Sequence, residues 1–354
     1  MSCLPFLVVM LDIIARLPPK NVAQCKLVCK EWLDFILERK FVRAHCHYMR
    51  ASADQKLLMV GWKTIEVHSL NYKSPGFIVP RGVARPFYAH PSRMFFLASL
   101  DGMLCVCLQN TCELVVWNPL TTKFKKLANS NSQGFYKVDS DALGFFVDSS
   151  DDYNILHIKR RRGTMTVYIY SMELNSWSTV RFLKHRPYHH YTYLWSPATL
   201  CGGGLYFVVT QCHGRSDGLT VICFDVNSKS FSELCFPNVY DDEVSGSLVN
   251  INEELHMYVC IGNYDYRREI VLWRLKNKSW MKVFAYPDKL WMPLSTMCSF
   301  TYYNLPGTCL VITNFGQVIE IDLQRDHLGY FCRMFFYRQM HGAVYTETIA
   351  SPDY

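Results

Sequence analysis

The chain has 354 residues, half of them hydrophobic, and a formal net charge of +7. Low-complexity stretches, long charge runs and Pro/Ser-rich linkers are all missing, which excludes long disordered spans and supports a large buried core. The charge permits an acidic partner but falls short of the basic stripe of a dedicated nucleic-acid binder.

The first expected element is helical. Leu4 to Leu11 is an apolar run of eight residues, long enough to mimic the core of a secretory signal. No basic residue precedes it, no small-residue cleavage site follows it, and Asp12 and Arg16 interrupt the pattern, so an address peptide is not expected. No stretch reaches the about twenty apolar residues of a membrane span. From Leu4 to Pro18 the apolar residues are dense enough to cover more than one helix face. That suits a helix buried on one side and docked to a partner on the other. Pro18-Pro19 is expected to stop this helix, and Asn21 to cap a second one running toward Val28. A third is expected to carry Trp32, Phe35 and Ile36 on one face. Roughly forty residues rarely fold alone, so this three-helix unit (1–45) should lean on a neighbour or a bound partner.

These residues carry a resemblance. Leu4-Pro5, Ile13-Ile14-Ala15-Arg16-Leu17-Pro18, Val28-Cys29-Lys30-Glu31-Trp32, then Phe35-Ile36 and Phe41 resemble the F-box in block order. Two departures stand out: the spacing from Pro5 to Pro18 is one residue longer than the family pattern, and Phe6 replaces a commonly acidic residue. The resemblance implies a Skp-type adaptor as partner and, through it, a cullin. By similarity, Pro5, Ile13, Leu17, Pro18, Val28 and Trp32 would form or support that contact.

Past residue 50 the helical period gives way to short β-rich runs punctuated by Gly, Asn, Asp and Pro. One module recurs there: an apolar strand, a polar turn, then an aromatic residue opening a second strand. Its aromatic pairs stand seven residues apart at Trp117/Phe124, Tyr170/Trp177, Phe224/Phe231 and Trp273/Trp280. Weaker copies lie around His68 and Ile321. With these six positions equivalent, the steps are 49, 53, 54, 49 and 48 residues. A period of about fifty residues predicts a mainly β, kelch-like propeller over 46–354 with six blades, or seven if the degenerate ends hide another. The run from Phe331 to Tyr345 is expected to pair with the first blade. Asp101 to Cys105, Trp117 to Thr121, Leu143 to Phe145 with Ser150 to Tyr153, and Tyr170 to Trp177 are similar to the F-box-associated domain of plant F-box proteins.

No enzyme is expected. Gly-x-Ser-x-Gly, phosphate-binding glycine loops and His-Glu-x-x-His are missing. Tyr188-His189-His190-Tyr191 offers a metal poorly, because adjacent strand residues face opposite ways; His45-Cys46-His47 is similarly weak. Neither metal nor cofactor is expected. The fifteen cysteines are scattered, odd in number and without a Cys-x-x-Cys pair, unlike a secreted disulfide framework. They read as small apolar core residues in a reducing compartment, cytosolic or nuclear. Lys159 to Gly163 reads as a basic hairpin turn, with nuclear import or an anionic ligand as alternatives.

In a four-stranded blade, loops joining the second and third strands share a face with loops passing to the next blade. That face would present Arg160, Arg161, Arg162, Tyr188, His190, Trp195, Arg215, Asp241, Tyr264, Tyr266, Arg267 and Trp291, residue types favoured at interface hot spots. Together the two resemblances imply a ubiquitin-ligase adaptor that captures a protein target on this face. A scaffold acting outside a cullin complex is the alternative.

Overall fold

The computed structural model describes residues 5–51, 55–60, 65–69, 79–83, 94–108, 111, 113–128, 141–161, 164–183, 192–212, 218–237, 244–251, 253–261, 269–287, 308–312, 317–322, 327–333 and 341–353. Among them no helix is long and apolar enough to cross a membrane. The fold has two compact units. Met1–Leu108, Leu114–Leu127 and His341–Tyr354 form one, Gln109–Glu113 and Ala128–Met340 the other.

The first unit begins with helices. α1 (Phe6–Val8) runs into a five-residue π turn (Val9–Ile13) and then a 3-10 turn (Ile14–Arg16). Pro18 follows this segment and Pro19 opens α2 (Pro19–Cys25), so Asn21, expected as the cap, lies inside the helix. Proline has φ preset for a first helical position, and the amide it lacks has no partner there anyway. α3 (Lys30–Leu37) carries Trp32, Phe35 and Ile36 as expected. α4 (Arg39–Ala51) corrects the three-helix expectation to four α-helical segments among the described residues, and it runs through the expected boundary at residue 45. Its signal was readable, because Phe41, Val42, His45, Cys46 and Met49 recur at helical spacing and all are buried.

These side chains close a small core with Met10, Ile14, Ala15, Val22 and Ile36. Phe35 meets Phe6 and Phe41 edge-on, at 5.3 and 6.1 Å between ring centroids. Full burial of one such side chain contributes about 1.5–3 kcal/mol. His45 is the polar member. Its Nδ1 lies 3.0 Å from the Ala15 carbonyl, which can only accept, so Nδ1 carries the proton and Nε2 has no partner.

Burial pushes the His45 pKa below 6.5; the nearby Lys26 charge adds to this and the Ala15 bond opposes it. His256, in the second unit, is lowered too, chiefly by burial. Because their folded pKa values are depressed, both stabilise the fold fully above the unfolded value of about 6.5. That contribution is lost as pH falls through the folded values. The thermal midpoint is therefore expected to drop between pH 7.5 and 5.5, and His45→Leu to flatten part of that slope. An unchanged slope in the variant would exclude His45 as a source.

The strands form six antiparallel sheets. In the first unit, sheet 1 orders His341–Thr346, Gln55–Val60, Ile65–Ser69 and Val79–Gly82, while sheet 2 runs Met94–Leu100, Met103–Leu108, Glu113–Trp117 and Phe124–Lys126. Sheet 3 comprises Ala142–Val147, Tyr153–Arg161, Thr164–Ser171 and Ser176–Leu183. In sheet 4, Thr192–Trp195 and Thr199–Cys201 both pair Gly204–Cys212, followed by Gly218–Asp225 and Ser230–Leu234. Sheet 5 holds Val244–Ile251, Glu254–Ile261, Glu269–Lys276 and Ser279–Pro287; sheet 6 holds Thr308–Ile312, Gln317–Asp322 and His327–Arg333.

Four sheets thus have the four-strand form of a complete blade, one has five strands and one has three. This corrects the expected six or seven blades to four complete ones among the described residues. An extra short strand doubles the first position of sheet 4, and sheet 6 starts at the strand before Ile321. The C-terminal pairing was expected in kind but not in extent. His341–Thr346 pairs Gln55–Val60, whereas Phe331 belongs to sheet 6.

Cores lie between neighbouring sheets. Sheets 1 and 2 bury Leu58, Val67, Leu104, Val106, Val115 and Trp117 against one another. Sheets 3 and 4 bury Phe146, Leu156, Val167, Phe207 and Phe224. Three of the four aromatic pairs are direct cross-strand partners: Trp117 with Phe124, Tyr170 with Trp177, and Phe224 with Phe231. In sheet 5, Trp280 pairs Leu275 instead. There the turn shrinks to Asn277-Lys278, with φ of 50° and 64° at the two residues, the signature of a tight two-residue hairpin. The second aromatic also ties down a neighbouring segment. Trp280 donates its indole N–H to the Cys235 carbonyl at 2.7 Å, just past the last strand of sheet 4, and Trp177 donates to the Ala128 carbonyl within the second unit.

Residues after the final strand are buried too. Thr348 and Ala350 are fully covered, and the Asn118 side-chain amide donates to both of their carbonyls at 3.1 and 2.8 Å. The Asn118 oxygen meanwhile accepts from the Leu120 and Thr121 amides. The Thr348 hydroxyl donates to the Asp101 carbonyl. Asp101 and Gly102 form the sheet 2 hairpin turn at φ 50° and 77°. The Asp101 carboxylate takes two bonds, at 2.5 and 2.6 Å, from Arg50 in the last turn of α4. Helix, hairpin and tail therefore meet at one residue.

Candidate functional site

The helical segment carries most of the exposed large apolar surface. Among the described residues, Leu7, Val8, Ile13, Leu27, Val28 and Leu37 are exposed there, against Leu174, Met281 and Val283 elsewhere. Leu27 and Val28 stand out at 86% and 61% exposure. They sit in the turn after α2, held by amide bonds to the Gln24 and Cys25 carbonyls. The inward positions are already filled by Met10, Ile14 and Ala15, so the apolar excess at Leu7, Val8 and Ile13 faces water. Exposed apolar groups clustered in one short segment mark a protein-binding surface.

The expected adaptor residues divide by burial. Pro5, Ile13, Pro18 and Val28 are exposed, while Leu17 and Trp32 are half-buried. Leu7, Val8, Leu27 and Leu37 were not singled out from the sequence. The available signal was a helix with more apolar positions than one buried face can use. A cleft of about 440 Å³ also opens here, lined by Phe6, Lys30, Glu31, Asp34, Phe35 and Glu38.

The expected target face is located only in small part. Arg160 and Arg161 end a strand, paired with Met165 and Thr164. This corrects the reading of the basic run as a turn, because the ladder continues through Arg161. Trp195 sets its ring edge-on to Phe207 at 5.6 Å and packs on the core of sheets 3 and 4. The indole stays half-buried, with one side packed on that core. Arg162, Tyr188, His190, Arg215, Asp241, Tyr264, Tyr266, Arg267 and Trp291 lie outside the described residues.

Among the described residues no three His, Cys, Asp or Glu side chains gather as for a metal. Cys25, Cys29, Cys46, Cys105, Cys107, Cys201, Cys223 and Cys235 are free thiols. Burial, with Glu253 and Glu254 nearby, pushes the Cys201 thiol up to about 11. Such a thiol is protonated at neutral pH, the opposite of an activated nucleophile. One buried polar pair stands apart in sheet 3: His157 Nε2 lies 2.9 Å from Asp141 Oδ2, both almost inaccessible. Trp177 packs against the His157 ring at 5.9 Å.

Comparison with known proteins gives this surface a context. The chain is 25% identical over 347 residues to the F-box protein At5g42460 of Arabidopsis thaliana, covering 89% of this chain and 84% of that one. It is 23% identical over 355 residues to the F-box protein CPR1 of the same plant, covering 90% and 82%. Two further Arabidopsis thaliana F-box proteins match at 26% identity over 67% and 64% of this chain, which spans 61% and 62% of their lengths. TolB from Acinetobacter baumannii superposes with a TM-score of 0.52 at 9% identity, over 87% of this chain and 73% of that one, a likeness of fold alone. The family model of the F-box domain matches residues 1–43, and that of the F-box associated beta propeller domain matches residues 87–318. With its four helices followed by antiparallel sheets, the chain belongs to the F-box proteins that carry an F-box associated β-propeller domain.

Proposed function

We propose that the chain is the substrate-recognition subunit of a Skp–cullin–F-box ubiquitin ligase, working in the cytosol or nucleus. The F-box docks a Skp-type adaptor, and the propeller captures a protein target through the loops around Arg160 to Arg162, Tyr188 to Trp195, Arg215, Asp241, Tyr264 to Arg267 and Trp291. The chain makes and breaks no bonds itself. Its contribution is proximity, holding the target near a ubiquitin-charged enzyme.

The observation that supports this reading most is the exposed apolar set Leu7, Val8, Ile13, Leu27, Val28 and Leu37 within a segment matched by the F-box model. Buried core positions cannot explain these side chains, whereas a protein partner can. The test is a pull-down and titration of the full chain with a Skp-type adaptor, beside Leu27→Glu/Val28→Glu. Both sites are exposed, so the variant should keep its fold. Interface anchors of this kind cost more than about 1 kcal/mol each when lost, so binding is expected to weaken by at least tenfold. A folded wild-type chain that binds no adaptor would leave the propeller as a stand-alone interaction module.

A further inference from the structure

The π turn at Val9–Ile13 is closed by the Ile14 amide reaching back to the Val9 carbonyl as well as to that of Met10. Such turns are rare and occur frequently at functional sites. Packing beneath the helix does not require this one. Met10 and Ile14 point inward at a spacing of four, and with one residue fewer they would stand three apart, still on one face.

What the wider turn changes lies on the outer side. Asp12 and Ile13 are both exposed, close in sequence to exposed Leu7 and Val8. Asp12 is the only charged residue between Pro5 and Ala15, and its carboxylate has no hydrogen bond or ion pair with another described residue. A lone carboxylate in an apolar contact surface weakens docking to any partner that buries it unpaired. It favours a partner that brings a cation to meet it.

We propose that Asp12, presented by the π turn, selects among Skp-type adaptors by pairing with a basic side chain at the rim of the apolar contact. The selection rests on the adaptor-docking reading above. Adaptors with an acidic or apolar residue at the facing position are rejected, because the carboxylate would be covered without a partner.

The experiment titrates the full chain against a panel of Skp-type adaptors at low and moderate salt, beside Asp12→Asn and a deletion of Asp12. Asp12→Asn is expected to weaken binding to preferred adaptors by about tenfold, to strengthen binding to disfavoured ones, and to flatten the salt dependence. The deletion, which restores α spacing, should act in the same direction. Binding within about twofold of wild type across the panel, or a uniform loss without re-ranking, would overturn the selection. Wild-type chain that is folded and binds no adaptor would overturn the docking reading, and this inference with it. Asp12→Asn changes an exposed group, so the test stands even if the deletion fails to fold.

Discussion

Gly102→Ala is expected to destabilise the first unit by about 3 kcal/mol and to release residues 347–351 from their buried site. A Cβ at Gly102 would sit 2.7 Å from the Thr348 hydroxyl and 2.9 Å from both the Thr346 carbonyl and the Thr348 amide, at a φ of 77°. Two of these three atoms are backbone and cannot step aside without moving the tail. Gly202 is an internal control, since it has a φ of 53° with nothing within 4 Å of its Cβ position. Gly202→Ala should show only the left-handed penalty, about 1–2 kcal/mol. Thermal midpoints and amide exchange at 347–351 would separate the two. Equal effects of both substitutions, with a protected tail, would mean that the collision is relieved elsewhere.

Asp141→Ala is the second large effect, about 3 kcal/mol. The substitution removes the carboxylate bonded to His157 Nε2 in a site that neither side chain exposes to water. Asp141→Asn keeps an acceptor oxygen of the same shape and should cost about 1 kcal/mol. The double variant Asp141→Ala/His157→Phe removes both halves of the pair while keeping a ring against Trp177. It is expected to be more stable than Asp141→Ala alone, because an orphaned polar atom costs more than an absent one. Urea midpoints of the three variants would decide this. A double variant less stable than either single one would mean that the imidazole has a further essential bond.

Part of this architecture was legible in the residues. The aromatic pairs seven apart encode a hairpin, because a four-residue turn sets Trp117 opposite Phe124 and Tyr170 opposite Trp177. The same count misled at Trp273 and Trp280, where a two-residue turn shifts the register although the spacing is unchanged. The F-box helices were visible through their apolar positions. The π turn was visible only as one residue too many between Pro5 and Pro18, a number without a shape.

Other features left no local signal. Asp141 and His157 are ordinary strand residues until the sheet brings them together. Thr348 and Ala350 look like a polar tail, and only Asn118, some 230 residues away, makes them interior. Leu27 and Val28 read as the end of a helix, and their exposure depends on the turn that follows α2. Trp195 is a similar case, since its edge-on contact with Phe207 exists only once the strands are paired.

The pairing of His341–Thr346 with Gln55–Val60 also has a consequence for biosynthesis. Sheet 1 takes its first strand from residues about 290 positions later in the chain than the strand it joins. At ribosomal rates of ~5–20 residues per second, Gln55–Val60 would wait roughly 15–60 s with an unpaired edge. Open edges are templates for wrong partners. The nascent chain therefore passes through a window with that edge open, and synthesis of His341–Thr346 closes it.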